Sequence, residues 1–367
     1  MATKYYSLDA IHDKGAKINV IVGERSNGKT YSVLKHALDL YKLQGSKLAI
    51  VRRWQDDLRG KRGDAYFNAL VANGEIKNAT NGEWDNVVFK SNQWFFSRVN
   101  QETGKREFAA EPFAYAFALT TWEHDKGGSF PEIDIILFDE FITRGRYLPD
   151  EFVIFMNVIS TIVRYRANVI VYMLANTVSK YGCPYFSEMG LMNVDSMQQG
   201  EIQVYEFGDS GLRVAVEYAD SPNKTGKASD VYFAFDNPKL KMITGGVWEM
   251  AIYPHCPCKY TPKDVLFRYF IQYYGKTLQC EIVQVDDMTF TFIHYKTTPL
   301  QDVTNDLIYS PDYSPRPNYR RKITRPFSDS ERLIWNFYDK EKVFYQSNEV
   351  GELVRSYIEW CRTDKLV

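Results

Sequence analysis

The segment Gly23-Glu24-Arg25-Ser26-Asn27-Gly28-Lys29-Thr30 constrains this chain more than any other. It satisfies G-x-x-x-x-G-K-[ST] in full, follows the β-branched run 17–22 and opens a helical pattern. Such a loop needs a strand to deliver it and a helix N-terminus to receive it, because its backbone amides must converge on an anion. The segment therefore demands strand–helix–strand order and predicts a parallel α/β sheet. Gly23, Glu24, Arg25, Ser26, Asn27 and Gly28 would wrap the phosphates. Lys29 would reach the β- and γ-phosphates, and the Thr30 hydroxyl would ligate Mg²⁺. A glycine turn with a solvated lysine has the same residues, but it needs neither the buried strand before nor the helix after.

The surrounding pattern agrees. Val33, Leu34, Ala37, Leu38 and Tyr41 recur at helical spacing over 30–43, and Gly45 suits the end of that helix. Strands are predicted at 48–51, 113–119, 133–138 and 169–174, with a hairpin inserted over 84–99 and a helix over 150–163. Apolar runs without alternation mark strands covered on both faces.

Ile133-Asp134-Ile135-Ile136-Leu137-Phe138-Asp139-Glu140 is the second chemical signal. A buried strand ends in two acids at the carboxyl edge, where open α/β sheets bind their ligands. Asp139 is placed to hold the Mg²⁺ shell, and Glu140 to orient and deprotonate an attacking water. That second acid points to ATP hydrolysis by a P-loop ATPase of the additional-strand, catalytic-glutamate type. Strand 48–51, falling between the loop and the acidic strand, points the same way. Asn176, after the strand 169–174, would face the γ-phosphate as a sensor, although an asparagine capping the next segment looks no different. Asp139 and Glu140 leave negative charge beside the transferring phosphoryl group. An arginine finger answers such charge, worth roughly 10³–10⁵ in rate. Arg164 and Arg166 are the candidates.

With 45 Lys+Arg against 46 Asp+Glu, no global field marks a polyanion partner, so nucleic-acid contact must come from local patches. Two exist. Residues 47–63 carry six cations (Arg52, Arg53, Lys61 and Arg62 among them) against two acids, and 311–326 carry five (including Arg320, Arg321 and Lys322) against one. Without base-reading chemistry these suit sequence-independent phosphate contacts, and they also suit plain solvated surface. No run reaches the roughly 18 apolar residues of a membrane span. The polar 1–13 segment is no signal peptide. The five scattered cysteines suit free intracellular thiols, and Cys256-Pro257-Cys258 lacks the second pair of a zinc site.

These residues together resemble the DNA-packaging ATPases of small short-tailed bacteriophages of the phi-twenty-nine type. The likeness includes Val22–Tyr31, Ile50-Val51-Arg52-Arg53-Trp54, Leu137–Ile142, Tyr147-Leu148-Pro149, Val163–Arg166, Leu174-Ala175-Asn176 and Pro184-Tyr185-Phe186, across roughly residues 18–190. The resemblance implies a homopentameric ring on the portal vertex of an empty capsid, in the host cytoplasm, pumping double-stranded DNA inward with ATP. An RNA component bridging to the capsid is left open. It also implies that Arg164 and Lys126 act in trans on a neighbouring subunit's nucleotide. For the second half it implies a ribonuclease H-like domain without activity.

Three regions are expected: an ATPase domain over 1–196, a connecting module over 197–240 and an α+β domain over 241–367. The hairpin 204–218, strands at 231–235, 247–253, 278–285 and 289–295, and helices at 262–274, 329–345 and 348–362 fill the last two. Ser328 and Glu331 have the spacing of a capping box. A live nuclease would need carboxylates converging on two metals. Asp230, Asp236, Asp286, Asp287 and Asp306 have no metal-ligand spacing. A terminase with active nuclease, another P-loop helicase, and a nucleotide-gated scaffold are the alternatives.

Overall fold

The computed structural model describes residues 6–363 except 126, 144, 178–182, 192, 209, 221–251 and 301–304. The chain divides into two units, residues 1–178 with 184–247, and residues 179–183 with 248–367.

The first unit is a ten-stranded sheet. Its parallel members are β1 (Ile18–Gly23), β2 (Lys47–Arg52), β6 (Ala114–Ala118), β7 (Ile133–Asp139), β8 (Ile170–Asn176) and β10 (Leu212–Tyr218). Antiparallel strands β3 (Asn86–Lys90), β4 (Gln93–Val99), β5 (Arg106–Phe108) and β9 (Ile202–Phe207) flank them. The order is β3-β4-β6-β2-β7-β8-β1-β10-β9, with β5 on β4. The strand separating the loop strand β1 from the acidic strand β7 is therefore β8. Strand β2, expected from chain order to intervene, lies on the far side of β7. The additional strand exists, but it is a different one.

A four-residue turn of helix, α1 (Asp9–His12), precedes β1, and α2 (Lys29–Gln44) follows it. Gly28 enters α2 at φ 95° and Gly45 leaves it at φ 75°, left-handed conformations that glycine adopts without a Cβ penalty. Val33, Leu34, Ala37 and Leu38 are buried, as their spacing requires. Three short helices, α3 (Lys61–Ala65), α4 (Asn68–Ala72) and α5 (Glu75–Ala79), link β2 to the β3–β4 hairpin. Helix α6 (Glu151–Val163) lies between β7 and β8 in the chain, and α7 (Pro184–Glu188) follows β8.

The connecting module expected over 197–240 is replaced, in its described part, by sheet. Strand β10 pairs with β1 in parallel from Ile18–Val214 to Val22–Tyr218, so the β9–β10 hairpin extends the first unit. The strands expected at 231–235 and 247–253 fall wholly or mostly outside the described residues.

The second unit is a six-stranded sheet of order β15-β14-β11-β12-β13-β16. Strands β11 (Val265–Tyr273), β12 (Lys276–Val285) and β13 (Met288–Tyr295) form an antiparallel meander. β14 (Ile308–Tyr309), β15 (Tyr319–Arg320) and β16 (Val343–Tyr345) extend it in parallel pairings. The helix expected over 262–274 is a strand preceded by one turn, Pro262–Asp264. Tyr269, Ile271 and Tyr273 all face the core at period two, and an aromatic, β-branched run suits a pleated surface. Helix α8 (Asp329–Asp339) stops before β16, and α9 (Asn348–Thr363) follows. Ser328 accepts the Glu331 N–H, but the Glu331 carboxylate turns to the Phe327 N–H and Arg320, so only half a capping box forms.

Near the start of the first unit, His12 and His36 meet edge-on at 4.5 Å, and His12 bonds the Tyr172 hydroxyl. The His36 Nε2 is buried without a partner among the described residues. Burial, then the neighbouring His12, lowers the His36 pKa to about 4, and burial lowers that of His12. The unfolded chain binds these protons near pH 6.5 while the folded one refuses them, so stability is lost as pH falls from about 7 toward 4. Urea melts of wild type and His36→Phe at pH 7.5 and 4.5 should show a smaller acid loss in the variant.

Candidate functional site

The functional groups gather where the parallel strands end. Gly23 closes β1 in register with Asn176 of β8, and Asp139 closes β7 opposite Leu174. Arg52 ends β2 beside them. The sequence reading placed the loop, Asp139, Glu140 and Asn176 at one edge, and they are at one edge.

Within the loop, Lys29 is buried. Its Nζ donates to the Gly23 carbonyl at 3.2 Å, the Glu24 carbonyl at 2.6 Å and Asn27 Oδ1 at 3.1 Å. Burial lowers the Lys29 pKa to about 8, with Asp139 and then Glu24 opposing. An ammonium held by neutral oxygens gains from an arriving phosphate, whose charge would return that pKa upward. Ser26 takes φ 60°, and the Asn27 carboxamide folds inward over Gly23.

The Thr30 hydroxyl lies 3.4 Å from Asp139 Oδ1 and 3.5 Å from Oδ2. Two ligand oxygens of one Mg²⁺ at about 2.1 Å lie about 3 Å apart at a right angle. The pair fits that ion after a small adjustment. Tyr66, just beyond α3, donates to Asp139 Oδ2 at 2.6 Å. Burial raises the Asp139 pKa above the carboxylate range, with Arg52 opposing.

Glu140 stands at φ 58°, a left-handed conformation that strains a residue with a Cβ by about 1–3 kcal/mol. Its side chain is 57% exposed and reaches Arg52, whose Nη2 donates to Oε2 at 2.6 Å. Arg52 also faces Asp139 at 3.6 Å and Asp57 at 3.4 Å. Expected to touch DNA, Arg52 instead neutralises the two acids.

Arg53 is a clearer correction. It is 5% exposed and grips Glu151, itself 1% exposed, through two bonds of 2.8 Å. It donates to the Phe141 carbonyl, stacks on Tyr147, and Glu151 also accepts from Tyr185. Two buried charges so fully bonded fix the loop after β7, and none is available to a phosphate backbone. Lys322 is likewise buried, over the Trp360 ring. Arg320 is held by Glu331 and the Pro317 carbonyl, and Arg321 by the Pro311 carbonyl and the Tyr313 ring. Lys61 and Arg62 are exposed, Arg62 near Asp57.

Arg164 sits at the opposite sheet edge. It follows α6 at φ 38°, is exposed, and donates to the Gly128 carbonyl. Arg166 binds the carbonyls of Phe130, Pro131 and Ile133 and the Asp134 carboxylate, at the start of β7. That contact set accounts for Arg166 as structural. Asp139 is at the far end of the same seven-residue strand, about 20 Å away. Arg164 cannot reach its own Asp139. Lys126 lies outside the described residues.

In the second unit, Asp286 and Asp287 form the exposed two-residue tip between β12 and β13, with Asp286 at φ 52°. Among the described residues no three His, Cys, Asp or Glu are grouped to hold a metal ion, and no helix is long and apolar enough to cross a membrane. Asp230 and Asp236 lie outside the described residues.

Sequence reasoning missed Tyr66, Glu151 and the role of Arg52. Nothing in the short helices after β2 marks Tyr66, because its contact spans 73 positions. Glu151 could have been suspected as an acid in a strongly apolar first turn.

A profile of the podovirus DNA encapsidation protein (Gp16) matches residues 2–227. The DNA packaging protein of Bacillus phage B103 is 30% identical over 178 residues, 48% of each chain. That of Bacillus phage phi29 is 26% identical over 173 residues, 46% of this chain and 45% of the other. The chain thus spans about half the length of the curated relatives it matches. The bacteriophage Phi-29 viral genome packaging motor assembly superposes with a TM-score of 0.57 at 17% identity, over 96% of this chain and 99% of that one. The Phi-28 gp11 DNA packaging motor gives 0.53 at 16% identity over all of both chains. At these identities the likeness is one of fold.

If the Arg53–Glu151 pair is structural, Arg53→Ala should cost about 3–5 kcal/mol of stability, since it strands a buried carboxylate. Thermal melts should show the loss. An unchanged melt with weakened DNA binding would restore Arg53 to the DNA surface.

Proposed function

The chain belongs to the podovirus DNA encapsidation protein (Gp16) family, and we propose that it is an ATP-hydrolysing motor driving double-stranded viral DNA into a preformed capsid. The observation that carries this reading is the convergence of Lys29, Thr30, Asp139 and Glu140 at one sheet edge, with β8 between the loop strand and the acidic strand.

Each residue then has a task. The loop amides and Lys29 hold the phosphates of ATP, and Asn176, in register with Gly23, faces the same edge. Thr30 and Asp139 would hold Mg²⁺, which supplies charge neutralisation at the β- and γ-phosphates. Glu140 orients a water and takes its proton once it has left Arg52. The opposite-edge position of Arg164 supports a finger that serves a neighbouring subunit, and so a ring. A pentamer, Lys126 acting in trans, the portal vertex and the host cytoplasm at the prohead are carried by family likeness, and an RNA component bridging to the capsid stays open. Lys61 and Arg62 are the basic residues of the first patch best placed for sequence-independent DNA contact.

For the second unit, an antiparallel meander extended by parallel strands beyond β11 supports a ribonuclease H-like fold. The exposed setting of Asp286 and Asp287 weighs against cleavage and so against a terminase with a live nuclease.

ATP turnover stimulated by double-stranded DNA should fall at least 100-fold in both Lys29→Ala and Glu140→Gln. Glu140→Gln should still bind ATP, and Lys29→Ala should bind it poorly. Full turnover in Glu140→Gln would remove Glu140 from the chemistry.

A further inference from the structure

Asp139 has more partners than metal binding needs. Its Oδ1 faces Thr30 and accepts the Glu140 N–H at 3.1 Å, while its Oδ2 accepts the Tyr66 hydroxyl at 2.6 Å. The Thr30 hydroxyl stands 3.4 Å from Oδ1 and 3.5 Å from Oδ2, so the carboxylate presents both oxygens to it, and the short Tyr66 bond to Oδ2 pins the group in that orientation, toward the side from which a divalent cation shared by Thr30 and Asp139 must bind.

The segment carrying Tyr66 is anchored for this. The Trp94 indole N–H donates to the Gly63 carbonyl at 2.8 Å, and the Phe89 N–H donates to Asp64 at 2.9 Å. Gly63 lies so close to Phe89 that a Cβ there would stand 2.5 Å from the ring. The Tyr66 ring packs 5.9 Å from Trp94. The β3–β4 hairpin therefore sets the height of the hydroxyl over Asp139.

We propose that Tyr66 is a positioning residue for the divalent cation: it orients the Asp139 carboxylate without neutralising it. Arg52, the other partner of Oδ2, brings a positive charge that competes with the ion. A neutral hydroxyl supplies direction alone. Removing a donor that orients a metal-ligating carboxylate costs about 10–100-fold in metal affinity. This inference rests on the nucleotide site proposed above.

Tyr66→Phe keeps the ring and deletes the hydroxyl. Mn²⁺ binding, read by electron paramagnetic resonance with a non-hydrolysable ATP analogue bound, should weaken about tenfold. Binding of that analogue in EDTA and the melting temperature should match wild type. Unchanged Mn²⁺ affinity in Tyr66→Phe, with a wild type that binds both ligands, overturns the role of Tyr66 and leaves the nucleotide site standing. Equal weakening in EDTA also overturns it, since the defect would lie in the loop. A wild type that binds no analogue either with Mn²⁺ or in EDTA overturns the nucleotide site and this inference together.

Discussion

Two adjacent carboxylates at the end of a buried strand repel each other and resist burial, and the first unit is arranged around that difficulty. Asp139 lies in the sheet's interior edge and Glu140 turns outward on a left-handed backbone. Arg52, from the neighbouring strand, meets both. The arginine supplies the charge that balances the two acids. Under the proposed chemistry, the same contact would hold Glu140 away from a water until Arg52 gave it up.

The arginines divide by depth rather than by sequence patch. Arg52 serves the acids, Arg53 clamps Glu151 beneath the loop after β7, and Arg166 closes the start of that strand. Arg164 alone of this group stands exposed, on a left-handed backbone. A run of like charges in sequence therefore splits into balance of the two acids and core fastening. Only the outer members near 59–62 remain as surface.

The loop, α2 and the acidic strand were legible because their signals are local: a spaced motif, a helical period and an apolar run ending in acids. Arg53 was misread because its partner is 98 residues away and adjacent basic residues look alike in a line. Tyr66 left no trace, since a hydroxyl–carboxylate contact across 73 positions has no local pattern. The strand over 265–273 was misread as helix because Leu266 and Phe270, four residues apart, interrupt the alternation of Val265, Phe267, Tyr269, Ile271 and Tyr273 with polar Arg268 and Gln272 and blur its period of two. The order of β8 and β2 about β7 depends on crossover choice, which chain order does not state.

Lys29, Thr30, Asp139, Glu140 and Asn176 lie at one edge of the sheet, and Arg164 lies at the other. A second copy of the chain would then complete the proposed site. Mixing Glu140→Gln, which keeps its arginine, with Arg164→Ala, which keeps its glutamate, and measuring DNA-stimulated ATP turnover tests it directly. Recovery of turnover that neither protein shows alone is the predicted result. No recovery at any mixing ratio, or wild-type turnover by Arg164→Ala alone, would contradict it.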